Sequence, residues 1–491
     1  MASKQLLGLG GILAGLASAA IVNPRQDSTV VTVDLSSDRG GPNHYASGVL
    51  LGIPDSEWSG MDDDQIPDRF YEDISFRYQR SGGSQLPQGA WVTGMDGYNA
   101  RLRSAKSDYE KARSFGAPFI LMPHDMWGTD SVTNATHWPG DNGNWDDYYK
   151  FLDQLLSDLK RLDMLDGMAW DVWNEPDVPL FWQRDNERWV ELYIRTHNYI
   201  RERPEYDSME ITGPAMSFGP ELDDDIWWRP WLAAISEHNI PPDQYSYHLL
   251  YARSEDQTFS DLRRTNTTLQ TLLDEFNLPP RQVNVNEYAR PEEQVPSTSA
   301  WYISRFERYD TFGLRANWAM QCQLHDFLAN LLTKPGAPDD ADCGARGYRP
   351  NGEWHVYAYY GSNMTGRRLA TEGSADGLAD AYATVDEDAV RVLFGSRNAT
   401  GTWSVRLDNL DSLGFAKSGS VTVRTWGFVN EGTFGAVESP EDRGLEEIEY
   451  CDGSVTIEIE VDDEDIETSF AFEFGGAGEG GKRGRKGNKY D

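Results

Sequence analysis

Between residues 45 and 335 the chain alternates short apolar runs with longer segments of helical periodicity. This alternation is typical of strands that pair in parallel and are joined by helices. Eight strands are predicted, at 47–53, 76–80, 119–122, 167–173, 209–215, 244–250, 282–287 and 314–320, with a closing helix at 327–332. Eight such units predict an α/β fold, the (β/α)8 barrel, in which active residues lie at the carboxyl ends of the strands.

The rest of the chain predicts a second, accessory domain. From residue 354 onward the helical patterns give way to short β-type segments at 381–385, 390–394, 402–407, 420–428, 454–461 and 468–474, which indicate a β-sandwich. The alternating segment 29–35 is expected to pair with it. The predicted divisions are a signal peptide at 1–20, the joining strand at 21–44, the catalytic barrel at 45–335, the sandwich at 336–475 and a disordered glycine-rich, basic tail at 476–491.

The first 20 residues have the pattern of a secretory signal peptide, with Lys4 before an apolar stretch and Ala17-Ser18-Ala19 after it. We therefore expect a secreted, extracellular protein without a membrane anchor. In an oxidising compartment Cys322 and Cys343, the nearest pair of the three cysteines, are the disulfide candidates, which leaves Cys451 over. Four N-glycosylation acceptors fit secretion: Asn134, Asn266, Asn363 and Asn398.

Charge and motifs also restrict the ligands. A formal net charge of −36 repels phosphate backbones, so nucleic acid is not an expected partner. The eight histidines lack the paired spacing of a zinc helix, and the glycine-rich loops of nucleotide enzymes are not found. No metal and no cofactor are expected.

Two of the predicted strands end in a glutamate. Strand four runs into Trp173-Asn174-Glu175-Pro176, and strand seven ends in Asn286-Glu287-Tyr288. Glycoside hydrolysis needs two carboxyl groups, a proton donor and a second group that attacks the sugar or activates water. Glu175 is the candidate acid/base, and Pro176 predicts an extended backbone at that residue. Glu287 is the candidate nucleophile, with a tyrosine hydroxyl such as that of Tyr288 holding its charge.

These motifs resemble the retaining glycoside hydrolases of clan A, the 4/7 superfamily, and family 39, which includes β-xylosidases, is the most similar. The resemblance implies a barrel with a β-sandwich, cleavage with retention of configuration, Glu175 as acid/base and Glu287 as nucleophile. It also implies a set of substrate-binding residues: Asn174, His248, Trp318, Arg80, His124 and Tyr251. In many relatives the residue at the position of Trp318 precedes a cis peptide bond. Tyr251 departs from the family spacing by one residue.

The predicted function is a secreted retaining exo-glycosidase, β-xylosidase-like, that acts on oligosaccharides or polysaccharides. One alternative is an endo-acting enzyme of the same clan, or one directed at arabinose, galactose or glucuronide. Another is a barrel that binds glycans without cleaving them. Five tryptophans in the predicted loops are expected to surround the mouth of the site and stack on sugars: Trp127, Trp138, Trp182, Trp227 and Trp228. The sequence leaves the monosaccharide, its linkage, the pH optimum and the oligomeric state open.

Overall fold

The computed structural model describes residues 29–58, 61, 65–251, 260–337 and 343–475. The predicted signal peptide and basic tail lie outside these residues. No helix within them is long and apolar enough to cross a lipid bilayer.

Eight parallel strands close into a barrel, which confirms the predicted fold. Each strand pairs with the next along the chain, and the last pairs with the first. They are, as barrel strands one to eight, Gly48–Leu50, Tyr78–Ser81, Phe119–Leu121, Met168–Asp171, Glu210–Phe218, Gln244–Tyr251, Gln282–Tyr288 and Phe312–Arg315. Because all eight run in the same direction, their carboxyl ends gather at one face.

Helices surround the barrel, and most have one apolar face against the strands. They are Arg69–Glu72, Met95–Ser114, Asp146–Arg161, Asn186–Arg201, Trp228–Glu237, Leu262–Glu275, Pro296–Arg308 and Gly352–Ser362, with a short additional helix at Pro123–Trp127. The predicted closing helix at 327–332 is wrong. The short element Phe327–Asn330 contains left-handed residues, and Gly352–Ser362 packs against Pro296–Arg308 instead.

The accessory domain consists of two sheets packed face to face, which confirms the predicted sandwich. The four-stranded sheet has the order Ala370–Glu372, Val30–Asp34, Gly401–Asp408, Val455–Val461. The six-stranded sheet has the order Arg367–Arg368, Ala379–Val385, Ala389–Ser396, Ser469–Gly475, Gly419–Phe428, Glu441–Tyr450. The N-terminal strand lies inside the smaller sheet, parallel to Gly401–Asp408, as predicted.

Buried ion pairs connect the barrel to the sandwich. Arg308, on the helix after barrel strand seven, donates to Asp380 at 2.7 Å, and Arg305 on the same helix also pairs with Asp380. Asp380 is fully buried at the start of a sandwich strand. Because an unpaired buried carboxylate is costly, these contacts fix the sandwich against one side of the barrel.

Candidate active site

A cavity of about 650 Å³ opens at the carboxyl face of the barrel. Each of the eight strands, or the loop that follows it, contributes to its wall. Its floor carries Asn174, Glu175, Glu287 and His124, and its outer part is mostly apolar. The two glutamates predicted from strands four and seven therefore line one cavity.

Glu175 lies four residues beyond the end of barrel strand four, with its backbone in the left-handed region at φ +39°. The extended backbone predicted from Pro176 is therefore wrong. The Glu175 amide donates to the carbonyl oxygen of Ala215 at 2.9 Å, and Ala215 is itself left-handed, at φ +53°. A non-glycine residue in this region costs about 1 to 3 kcal/mol and persists where neighbours hold it. Barrel strand five thus fixes the position of Glu175.

Glu287 is placed by an irregularity in barrel strand seven. The register between strands six and seven shifts so that Tyr247 pairs with Val285 and His248 with Glu287, which leaves Asn286 as an extra residue. Side chains alternate between the two faces of a regular strand, whereas a bulge re-aims them. As a result the adjacent Asn286 and Glu287 both point into the barrel.

Arg80 occupies the centre of the site and is fully buried. Its Nη1 donates to Glu287 Oε1 at 2.7 Å, and its Nη2 donates to Asp171 Oδ2 at 2.6 Å and to Asn174 Oδ1 at 2.6 Å. Asn286 Nδ2 donates to the same Asp171 oxygen at 3.0 Å. A single cation therefore orients the candidate nucleophile and the asparagine that precedes the candidate acid.

His248 bridges the two glutamates from below. Its Nδ1 lies 2.8 Å from Glu175 Oε1, and its Nε2 lies 3.7 Å from Glu287 Oε1. Burial lowers the pKa of His248 to about 4, so the ring is neutral at neutral pH. One oxygen of each glutamate and one ring nitrogen all lie within 4.8 Å of one another.

The two carboxyl groups differ in their surroundings. Burial, with the nearby Asp177 carboxylate, raises the pKa of Glu175 to about 8. Burial also raises the pKa of Glu287, whereas His248 and Arg80 act in the opposite direction. Since the Arg80 guanidinium donates directly to Glu287, the negative charge resides on Glu287 and the proton on Glu175. With Glu175 protonated and His248 neutral, one hydrogen bond joins Glu175 Oε1 to His248 Nδ1 at 2.8 Å.

The predicted substrate-binding residues divide into two groups. Asn174, His124, Trp318 and Tyr251 line the cavity. Arg80 and His248, predicted in the same set, are instead fully buried and contact the carboxyl groups: Arg80 is salt-bridged to Glu287, and His248 contacts Glu175.

Trp318 lies three residues past the end of barrel strand eight, because that strand stops at Arg315 and not at 320 as predicted. Its Nε1 donates to the carbonyl oxygen of Ala289 at 3.0 Å. The peptide bond after Trp318 is trans, and the cis bond among the described residues joins Gly213 to Pro214.

Comparisons with known proteins agree with this fold. No protein-family model matches the chain. Among solved structures, N2152 from Neocallimastix frontalis superposes with a TM-score of 0.68 at 19% identity, over 91% of this chain and 100% of that one. A monomeric β-xylosidase from Caulobacter crescentus superposes with a TM-score of 0.56 at 15% identity, over 91% of this chain and 100% of that one. The GH39 enzyme from Xanthomonas axonopodis pv. citri superposes with a TM-score of 0.55 at 14% identity, over 91% of this chain and 97% of that one.

The chain has the fold of GH39 proteins. At these identities the superpositions concern the fold, a barrel with its sandwich. A β-xylosidase from Geobacillus stearothermophilus is 24% identical over 216 residues, which is 38% of this chain and 41% of that protein. The chain thus matches less than half the length of this curated relative.

Several residues of the site do not follow from the sequence patterns. Asp171 falls inside the predicted strand 167–173, and regular alternation places Asn286 on the opposite face from Glu287, so the patterns indicate neither residue as part of the site. Asp177 follows Pro176 and accepts from the Ser217 amide at 2.9 Å. The sequence indicates the contribution of Asp177 only by placing an acidic residue two positions after Glu175.

Two predictions about aromatic residues are wrong. Four of the five tryptophans expected around the mouth are buried, and Trp227 is partly buried; all five pack in or against the main hydrophobic core: Trp127, Trp138, Trp182, Trp227 and Trp228. An aromatic ring removes a large apolar area from water when it is buried, which favours packing in the core over exposure at the mouth. Tyr288 does not contact Glu287 either, because its hydroxyl bonds Tyr357 at 2.6 Å and the Ala46 carbonyl oxygen at 3.1 Å.

Cys322 and Cys343 form a disulfide, and Cys451 is exposed and free. Among the glycosylation candidates, Asn134 is exposed, whereas Asn266 and Asn363 are partly buried. Asn398 Oδ1 accepts from Thr298 at 3.0 Å and its Nδ2 donates to the Glu292 carbonyl oxygen. A glycan on Asn398 would replace that last contact.

Proposed function

We propose that this protein is a glycoside hydrolase that cleaves with retention of configuration, with Glu175 as acid/base and Glu287 as nucleophile. The observation that carries the proposal is the approach of their carboxylate oxygens to within 4.8 Å at the floor of one cavity. Retaining enzymes have carboxyl groups about 5 to 5.5 Å apart, whereas inverting enzymes keep about 6.5 to 9.5 Å for a water molecule.

In the first step a Glu287 oxygen attacks the anomeric carbon while the bond from that carbon to the leaving oxygen breaks. Glu175 gives its proton to the leaving oxygen, which departs as an alcohol. In the second step Glu175, now ionised, takes a proton from water, the water oxygen attacks the anomeric carbon, and the ester bond to Glu287 breaks. Both residues return to their starting states, and two inversions give net retention.

The buried environments of the two glutamates support these different roles, with Glu175 as the acid and Glu287 as the nucleophile. A general acid works best when it is protonated near the operating pH, and burial keeps Glu175 in that form. A nucleophile must be ionised, and Arg80 stabilises that form of Glu287. Arg80 also fixes the amide of Asn174, whose NH2 group is then available to a sugar 2-hydroxyl, a contact that strengthens in the transition state.

The sugar we propose is xylose, removed from a chain end as by a β-xylosidase. The support is the β-xylosidase similarity over part of the chain and the fold shared with a solved β-xylosidase. We propose also that the protein is secreted, since the signal-peptide pattern at 1–20, the disulfide and the exposed Asn134 acceptor site suit an extracellular enzyme. Amino-terminal sequencing of the exported protein tests this, with cleavage near residue 20 expected.

The deciding experiment is turnover of nitrophenyl β-D- and α-L-glycosides and of polysaccharides, with the first product's anomeric configuration read by NMR. A xyloside cleaved with retention supports the proposal. Preference for another sugar, or mid-chain cleavage, would support the arabinose, galactose, glucuronide or endo-acting alternative, and inversion would exclude Glu287 as nucleophile. Binding of glycan without any turnover would support the non-catalytic alternative.

Two variants assign the roles. Glu287→Gly should lose glycosidase activity by several orders of magnitude and recover in part with azide, which enters the vacated space and attacks the sugar. The matched control is Glu292→Gln, because Glu292 is a largely exposed glutamate outside the cavity wall. Undiminished cleavage by the Glu287 variant would contradict its role.

A further inference from the structure

Large apolar side chains that remain exposed are concentrated at one place. Among the described residues nine of them are exposed, at Met95, Leu180, Leu222, Ile226, Tyr251, Trp318, Met320, Leu378 and Leu445. Four of the nine line the active-site cavity: Leu180, Tyr251, Trp318 and Met320. Single exposed apolar residues are ordinary, whereas a contiguous group indicates a binding surface.

These four residues form the outer part of the cavity, which we call the apolar mouth. Leu180 follows barrel strand four, Tyr251 ends strand six, and Trp318 and Met320 follow strand eight. Leu180 and Met320 are 64% and 63% exposed, whereas Asn174 and Glu175 on the floor are 3% and 9% exposed. The cavity therefore has a polar floor and a largely apolar outer part, although Gln85 and Asp130 also contribute to its wall.

Other apolar residues of the cavity wall have the same character. Leu250 and Leu324 are buried, and Val178 and Phe181 are partly buried. A sugar unit placed there would have to bring several hydroxyl groups against groups that cannot accept or donate a hydrogen bond. Each hydroxyl that loses its water partners in this way, without a new hydrogen-bond partner, weakens binding. An apolar group would instead gain from burial.

The strand-eight side of the mouth is held in place before any ligand binds. The Gln321 amide donates to Gln85 Oε1 at 2.9 Å, and the Ala319 amide donates to Asn317 Oδ1 at 3.0 Å. The Cys322–Cys343 disulfide lies directly beyond this loop. A surface ordered in advance loses less conformational entropy when a ligand binds.

We propose that the apolar mouth binds a hydrophobic aglycone, so that the enzyme acts best on glycosides of alkyl or aryl alcohols and less well on sugar–sugar linkages. The proposal rests on the glycosidase function above and identifies the leaving group of that reaction. The sugar occupies the polar floor, the aglycone lies between Leu180 and Met320, and its oxygen receives the Glu175 proton.

The test is a series of methyl, butyl, hexyl and octyl glycosides of the sugar that is cleaved best. Alkyl alcohols differ little in acidity, so the series changes burial and hardly changes the leaving group's chemistry. We expect kcat/KM to rise about two- to fourfold for each buried methylene until the mouth is filled. The kcat/KM of the octyl glycoside should be higher than that of the disaccharide of the same sugar. A flat series, or a faster disaccharide, would overturn the proposal.

Two substitutions tie the effect to the mouth. Leu180→Gln and Met320→Gln should each reduce the increase from methyl to octyl severalfold. Leu445→Gln is the matched control, because Leu445 is 65% exposed on an outer sandwich strand. An equal reduction in all three variants would overturn the assignment to the mouth.

The failure of this proposal is distinguishable from failure of the glycosidase function. Calorimetry on the Glu287→Gln variant measures binding of the same glycosides without turnover. Affinity that increases with chain length while the unaltered protein cleaves no glycoside would refute the function and support an apolar-ligand site. Turnover of the methyl glycoside with no dependence on chain length would leave the function standing and refute the aglycone proposal.

Discussion

Neutralising Glu287 should lower the pKa of Glu175, and the separation of the two residues determines by how much. Two unit charges 4.8 Å apart interact by about 3.5 kcal/mol at an effective dielectric constant of about 20. That energy corresponds to a change of about 2.5 in the pKa of Glu175. Because Arg80 offsets part of the Glu287 charge, this is an upper bound. In Glu287→Gln the pKa of Glu175 should therefore fall below its value of about 8 in the unaltered protein.

The same change occurs in the proposed reaction cycle, because the sugar ester makes Glu287 neutral. Glu175 must be an acid in the first step and a base in the second, and a lower pKa in the intermediate favours its ionised form. The charge of the nucleophile thus sets the protonation of its partner at each step.

The assay is a carbon-13 NMR titration of protein labelled at the glutamate carboxyl carbon. The Glu175 signal is the one absent after Glu175→Gln in the same background. Glu353→Gln serves as a control, since it removes a buried glutamate paired with Arg315 outside the cavity and should leave the titration of Glu175 unchanged. A change of less than about half a unit in Glu287→Gln would refute the electrostatic coupling.

Three other perturbations examine the remaining charges of the site. Asp177→Asn removes a charge that raises the pKa of Glu175, so the basic limb of the kcat/KM pH profile should move to lower pH; an unmoved limb contradicts this. Arg80→Met leaves Asp171 buried without its cation, and urea unfolding should show a loss of about 3 to 5 kcal/mol. Dialysis against EDTA should leave kcat unchanged, and activity restored by a divalent ion would instead indicate a metal between the two glutamates.

The barrel could be predicted from sequence because each of its strands is a short apolar run between helices with one apolar face. The helix Gly352–Ser362 was missed for the opposite reason. Its residues 352–360 are all buried, so it lacks the polar face that marks an amphipathic helix. The sandwich strand Glu441–Tyr450 was missed because it is an edge strand, exposed along nearly its whole length and rich in acidic residues.

The two glutamates could be found because each one ends an apolar run at the carboxyl face. Their environment could not be found in the same way. The bulge that turns Asn286 inward depends on the pairing of strands six and seven, and the left-handed backbone of Glu175 depends on Ala215. Both depend on contacts between segments that are distant in sequence. Local sequence patterns do not predict such contacts.

The buried site holds more carboxyl groups than cations, which favours a proton on Glu175. Within the described part of the chain, Arg80 is the one guanidinium that contacts the group, and it faces the carboxylates of Asp171 and Glu287, while His248 is neutral. A third anion at Glu175 would lie in the same low-dielectric interior with no cation donating to it among the described residues, which is a costly arrangement. The packing that makes this barrel stable therefore also keeps the acid protonated. When substrate removes the charge of Glu287, that constraint is relaxed, and Glu175 can release its proton at the moment the reaction requires it.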